Sequence, residues 1–309
     1  MLTRLQFHLP TVLLESAIEN VKVCGAARLG TTPMDSMAEE CVAYLSQHGA
    51  AEGKIGLAGY APELGIEAPL GRALSKASLV DANEMVDRMR QVKSENEVRL
   101  LVKSAEVASY AWEEAMSLAE PGRWEQEVLA AAELSARKKG ASGIQVFFGH
   151  VRDGKTYHRP APRRLEKGDV VRLEVIPEYG GYWSERVSYA ALETAPPDLK
   201  RKFEEVVEAH FTVTDYMQPG RSIGEVVEYM KKAGSEVHKR LGHGMGLDNI
   251  ERPETISEQD TTVLEPGMVF AIHPNVDVPT YGSLTWGGAV VVTKKGAQSL
   301  LPRYPEFVT

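Results

Sequence analysis

From residue 121 onward the chain repeats itself, and no other feature of the sequence constrains the fold as strongly. Pro121-Gly122-Arg123 followed by Glu127-Val128-Leu129 recurs as Pro219-Gly220-Arg221 followed by Glu225-Val226-Val227, an offset of 98 residues. Leu165-Glu166-Lys167-Gly168-Asp169-Val170 recurs as Leu264-Glu265-Pro266-Gly267-Met268-Val269, an offset of 99. Turns of either kind are common in α/β chains, so one pair alone carries little weight. Two pairs in the same order and nearly the same register indicate a duplicated helix-strand unit. Each proline-glycine turn opens a helix, and each of the other turns leads into a strand. The strand pairs expected are residues 169–177 with 181–190 and residues 268–275 with 283–293. A cleft between two such halves collects side chains from both.

At 309 residues the chain is long for a single core, which predicts two domains. Before residue 90, short apolar runs at 12–14, 21–23 and 55–58 alternate with Gly and Pro around a helical stretch at 37–48. This reads as a small α/β unit. Residues 87–99 are densely charged and lead into an amphipathic pattern over 97–118, with Leu100, Leu101, Ala105, Ala108 and Ala111 near helical spacing. The boundary therefore falls near residue 90, giving domains 1–90 and 91–309. No run approaches the roughly 20 apolar residues that span a bilayer, and residues 1–14, interrupted by His8 and Pro10, are read as mature chain. A formal charge of -8 and a pI near 5.6 argue against binding to a phosphate backbone. Neither membrane nor nucleic acid is expected as a partner. The two cysteines, Cys24 and Cys41, have neither disulfide-scaffold nor zinc spacing, so a reduced, cytoplasmic compartment is expected.

The repeat also aligns titratable residues. Glu174 and His273 each lie nine residues beyond the paired Leu165 and Leu264, and each interrupts an apolar strand. Burying such a group is costly unless it is paired or coordinated. Glu185 follows Glu174 by eleven residues, and His243 stands in Gly242-His243-Gly244-Met245-Gly246, where glycines let the backbone approach a ligand closely.

Four segments carry a family resemblance: Gly168-Asp169-Val170-Val171-Arg172-Leu173-Glu174, Gly181-Tyr182-Trp183-Ser184-Glu185, Gly242-His243-Gly244-Met245-Gly246-Leu247, and Leu264 through Pro274. In order and interval they resemble the signatures of the creatinase/prolidase/aminopeptidase P family. The resemblance covers residues 90–300. It implies an α/β (α+β) pita-bread domain of two pseudo-symmetric helix-strand halves. Lys54-Ile55-Gly56-Leu57-Ala58 and Leu79-Val80-Asp81 resemble the later part of the creatinase-type N-terminal domain, so a shortened form of that domain is expected over 1–90. The family's members usually dimerise, which implies a homodimer.

The metal enzymes of that family hold two metals with two aspartates, a histidine and two glutamates. By the resemblance these positions fall on Glu174, Glu185, His243, His273 and Gly287. Four of the five differ from the family pattern, and Gly287 offers no ligand. A further family histidine falls on Ile250 in Ile250-Glu251-Arg252-Pro253, and another on His158, with Tyr157 as the alternative. A dinuclear centre, and with it ordinary Xaa-Pro peptidase chemistry, is not expected.

Three readings of the site remain. In the first, Glu174, Glu185, His243 and His273 hold one Zn, Mn or Fe for hydrolase or lyase chemistry. In the second, which is creatinase-like, no metal is held. His158 and Glu251 move protons, while Glu174, Glu185, His243 and Arg252 bind a small amide, guanidino or dipeptide-like substrate whose C–N bond is hydrolysed. In the third, the cleft binds a small molecule without turnover. Specificity is assigned to residues 147–155 and 276–283, which carry no diagnostic motif.

Overall fold

The computed structural model describes residues 2–3, 22–23, 32–59, 65–150, 162–232, 241–278 and 282–301. Cys24, Tyr157 and His158 lie outside the described residues, as do the apolar run at 12–14 and most of the loop at 147–155. The chain divides into two compact units, Met1–Arg88 and Met89–Thr309.

In the first unit, β1 (Leu2–Thr3) pairs in parallel with β2 (Lys22–Val23). Helix α1 (Pro33–Gln47) begins at a capping box. Asp35 N–H donates to the Thr32 hydroxyl at 3.2 Å while Thr32 N–H donates to the Asp35 carboxylate at 3.1 Å, so two otherwise orphaned amides are satisfied. Strand β3 (Gly53–Leu57), helix α2 (Glu67–Ala73) and strand β4 (Ala77–Asp81) follow, and β3 and β4 pair in parallel from Gly53 opposite Ala77 to Leu57 opposite Asp81. Ala38, Ile66, Leu70 and Leu74 form its core, with Ile55, Leu57 and Leu79 packed against them. Helix α3 comprises Asn83–Gln91.

The second unit follows the repeat. Its first half contains α4 (Glu95–Ser117), α5 (Glu125–Lys138), β5 (Gly143–His150), β6 (Val170–Tyr179), β7 (Tyr182–Trp183) and β8 (Arg186–Ala191). Its second half contains α6 (Pro197–Tyr216), α7 (Ile223–Lys232), β9 (Gly242–Gly244), β10 (Val269–Ile272), β11 (Asn275–Val278), β12 (Gly282–Thr285), β13 (Gly287–Thr293) and β14 (Gly296–Ser299). Eight strands form one sheet in the order β5-β6-β8-β13-β10-β9, with β7 on β6 and β14 on β13. The halves join where β8 meets β13, at Gly287 opposite Val187 and Gly288 opposite Arg186.

Strand alternation divides each half between core and cleft. Val171, Leu173 and Val175 of β6 pack against Ala111, Trp112 and Ala115 of α4 and Val128 and Ala132 of α5. In the second half, Phe270, Ile272, Val290 and Val292 pack against Val213, Ile223 and Val226 of α6 and α7. Each fully buried aliphatic side chain of this kind contributes roughly 1.5–3 kcal/mol. The intervening positions of β6, including Arg172 and Glu174, therefore face the opposite side.

One expected hairpin is divided. Residues 268–275 and 283–293 do not form a continuous pair. Strand β10 ends at Ile272 and pairs with β13, while β11 and β12 make a separate two-stranded sheet. Pro274, which has no amide hydrogen to donate to a ladder, stands at the break. The residues 276–283 read as a specificity loop thus lie largely in this small hairpin. No described helix is long and apolar enough to cross a membrane.

Candidate metal centre

Two strands and one break between strands bring the donors together. Glu185 lies in the two-residue break between β7 and β8, which both pair with β6, His243 at the centre of β9, and His273 one residue past β10. Strand β9 lies close against β10 because residue 242 is a glycine. Its φ is +158°, and a Cβ there would stand 1.9 Å from the Ala271 carbonyl oxygen. The His273 amide then donates to Leu241 O at 2.8 Å, which sets the two histidines side by side. Their rings are 5.3 Å apart at 59°.

Glu185 is almost fully buried between them. His243 Nε2 is 3.6 Å from Glu185 Oε2 and His273 Nε2 is 3.5 Å from Glu185 Oε1. One ligand atom from each residue lies within 4.8 Å of the others. His243 Nδ1 is 3.0 Å from Gly244 O, and a carbonyl can only accept, so Nδ1 bears the hydrogen of the neutral ring. The Nε2 lone pair then faces the carboxylate. This separation suits a cation or a proton shared between the ring nitrogens and the carboxylate. Two imidazoles, one with its outer nitrogen tied to a carbonyl, and one carboxylate form a donor set that suits a divalent transition metal.

Glu174 is not one of the three clustered donors. It projects from β6 on the same rung as Phe147 of β5, Val187 of β8 and Gly287 of β13, and Arg172, two residues earlier on that face, pairs with it at 3.4 Å. Gly287 adds nothing to the rung and has no room to do so. Its φ is +154°, and a Cβ would lie 1.9 Å from Ile272 O and 2.8 Å from His273 Cα.

Glu251, read from sequence as a proton-transfer group, is engaged elsewhere. Its carboxylate accepts from Lys93 at 2.9 Å, Arg90 at 2.6 Å and the Leu247 amide at 2.7 Å. These bonds anchor the segment that follows His243, and the Glu251 amide donates to Gly244 O at 2.8 Å. Lys93 is itself buried. Desolvation lowers its pKa, and the Glu251 charge opposes that shift. Arg252 is exposed, and Ile250 is half exposed. The partners Arg90 and Lys93 went unrecognised in sequence because residues 87–99 read as a charged linker. The only local hint was a lysine flanked by Val92 and a helix cap at Ser94.

The model of metallopeptidase family M24 matches residues 99–294. The chain belongs to metallopeptidase family M24. Among curated relatives, the candidate dipeptidase YkvY of Bacillus subtilis is 33% identical over 247 residues, covering 77% of this chain and 67% of the relative. An Xaa-Pro dipeptidase of Pyrococcus horikoshii is 26% identical over 235 residues, covering 73% of this chain and 67% of the relative. Among solved structures, the prolidase of Pyrococcus horikoshii OT3 superposes with a TM-score of 0.81 at 24% identity, covering 98% of this chain and 85% of that one. The X-Pro aminopeptidase of Thermotoga maritima gives 0.82 at 21% identity, covering 100% and 85%. The fold is that of the pita-bread peptidases, and the M24 member described here is a hydrolase of that family.

Proposed function

We propose that this M24 member hydrolyses the C–N bond of a small dipeptide-like amide at a mononuclear site held by Glu185, His243 and His273. The convergence of those three donors within 4.8 Å supports the reading. The lack of room for a side chain at Gly287 supports one cation over two. When bound, a divalent cation supplies Lewis-acid polarisation of a carbonyl and lowers the pKa of a water. The chain's own residues do the rest. His243 is held in one tautomer by Gly244 O, Glu185 is shielded from solvent, and the Arg172–Glu174 pair places charge on the neighbouring rung for a polar substrate. His158 is assigned proton transfer on its sequence position, Arg252 contact with a substrate carboxylate, and Glu251 the holding of the segment after His243. A dipeptide-like substrate accords with the relatives named dipeptidases. We also assign the protein to a reducing cytoplasm as a homodimer, on its cysteine usage and family.

A second reading draws on the same distances. Glu185 between two imidazoles suits shared protons as well as a shared cation, which is the creatinase-like, metal-free alternative. Hydrolysis of a panel of dipeptides, small amides and guanidino compounds, with and without exhaustive chelation, separates them. Turnover abolished by chelator and restored by Zn, Mn or Fe supports the mononuclear site. Turnover that survives chelation with no residual metal overturns it in favour of acid-base catalysis.

A further inference from the structure

A buried histidine outside the donor cluster contacts the peptide that carries His273. His210, on α6, is fully buried. Its Nδ1 is 2.9 Å from Ile272 O, and its Nε2 is 2.8 Å from Ser299 Oγ. The Ile272 carbonyl and the His273 amide belong to one peptide plane. Its carbonyl end is bonded to His210 and its amide end donates to Leu241 O at 2.8 Å, so the plane is gripped at both ends and cannot rotate without breaking a buried hydrogen bond. The first torsion of His273, and with it the direction of the imidazole, follows from that plane.

The surrounding groups support the grip. The Leu301 amide donates to Ser299 Oγ at 3.2 Å, which leaves the Ser299 hydroxyl hydrogen for His210 Nε2. Because a carbonyl only accepts, His210 must bear its hydrogen on Nδ1 and accept at Nε2. Trp286 stands edge-on to the His210 ring at 4.9 Å and fixes it laterally. The same Ile272 oxygen would meet a Cβ at Gly287 at 1.9 Å. The carbonyl that receives His210 is therefore also the group that excludes a side chain from residue 287.

We infer that His210 is a positioning residue for His273, acting as the neutral Nδ1–H tautomer through the Ile272–His273 peptide. The inference rests on the reading of His273 as a metal ligand. Outer groups that orient a ligand typically change metal affinity 10- to 100-fold when removed, and the same range is expected here. Zn(II) affinity is measured by chelator competition on the full chain for wild type, His210→Phe, His210→Asn and Ser299→Ala, together with the Co(II) absorption spectrum. His210→Phe keeps the ring volume but cannot donate, and is expected to weaken binding roughly 10- to 100-fold and to alter the Co(II) spectrum. His210→Asn places an amide donor where Nδ1 stands and is expected to recover most of the loss. Ser299→Ala, which leaves the bond to Ile272 O intact, is expected to stay within a few-fold of wild type. Equal affinity and spectrum in His210→Phe, or equal loss in the Phe and Asn variants, overturns the inference.

A readout on the wild type alone covers the case in which a variant does not fold. Long-range 1H–15N correlation is expected to show His210 with Nδ1 protonated and Nε2 bare, and an Nε2–H or doubly protonated ring at neutral pH overturns the positioning role. Absence of Zn(II) and Co(II) binding by wild type instead overturns the mononuclear reading, and the tautomer still decides whether His210 holds the peptide.

Discussion

Replacing Gly287 with alanine is expected to destabilise the second unit far more than one methyl group would ordinarily do. Two costs add. The residue has φ +154°, where a non-glycine residue costs roughly 1–3 kcal/mol. The new Cβ would also stand 1.9 Å from Ile272 O, and forcing extra atoms into a packed region costs about 1–3 kcal/mol more. Gly181→Ala separates the two contributions, because Gly181 has φ +85° but nothing within 4 Å of the place its methyl would occupy. That control bears only the backbone cost, about 1 kcal/mol. At about 2–4 °C per kcal/mol for a unit of this size, thermal unfolding followed by circular dichroism should place Gly181→Ala about 2–4 °C below wild type. Gly287→Ala should fall roughly 5–20 °C below it. A Gly287→Ala variant as stable as Gly181→Ala would refute the claim that the backbone has closed over this position. So would a Gly287→Glu variant that gains a second metal equivalent without loss of stability.

Three further outcomes follow from buried polar groups. Burial lowers the pKa of His210 from 6.5 to about 4. The unfolded chain thus takes up a proton near pH 6.5 that the folded chain refuses until about pH 4, and stability falls as pH drops across that window. The loss amounts to about 3 kcal/mol, measured by urea unfolding at several pH values, and His210→Asn should flatten the slope. Glu251→Gln leaves the buried Lys93 without its carboxylate and should cost roughly 3–5 kcal/mol in denaturant unfolding; an unchanged midpoint would remove the ion pair from the account. Glu185→Gln should abolish hydrolysis while thermal stability stays within a few degrees of wild type, and retained turnover would exclude Glu185 from the site.

Much of this arrangement was legible in the sequence, for a physical reason. The repeat, and the amphipathic pattern ahead of it, placed helices and strands because turn chemistry and side-chain periodicity are local, and α4 and β6 begin within a few residues of where those patterns predict. His243 and His273 carry a local signal because they interrupt a run of glycines and an apolar run, whereas Glu185 stands out only by its interval from Glu174 and by the family resemblance. Glu174 carries the same kind of sequence signal as His273. Period-two alternation sets Arg172 on the same face, and that ion pair engages the carboxylate, which stands outside the donor cluster. The bonds that hold Glu251 left no trace in the sequence, because its partners lie 158 and 161 residues earlier in the chain, a separation no local pattern encodes. The division of the second hairpin was signalled by Pro274 but overridden by the repeat, whose first half has an uninterrupted strand there. His210 had no signal at all, since a histidine on an amphipathic helix reads the same whether or not it grips a distant peptide.

The central claim is a single cation held by Glu185, His243 and His273, and metal content tests it most directly. Protein reconstituted with Zn, Mn or Fe, dialysed and measured by elemental mass spectrometry should retain one equivalent per chain. His243→Ala and His273→Ala should each lose it, while Glu174→Gln keeps it. Two equivalents in the wild type, or one that survives loss of both histidines, would contradict the account.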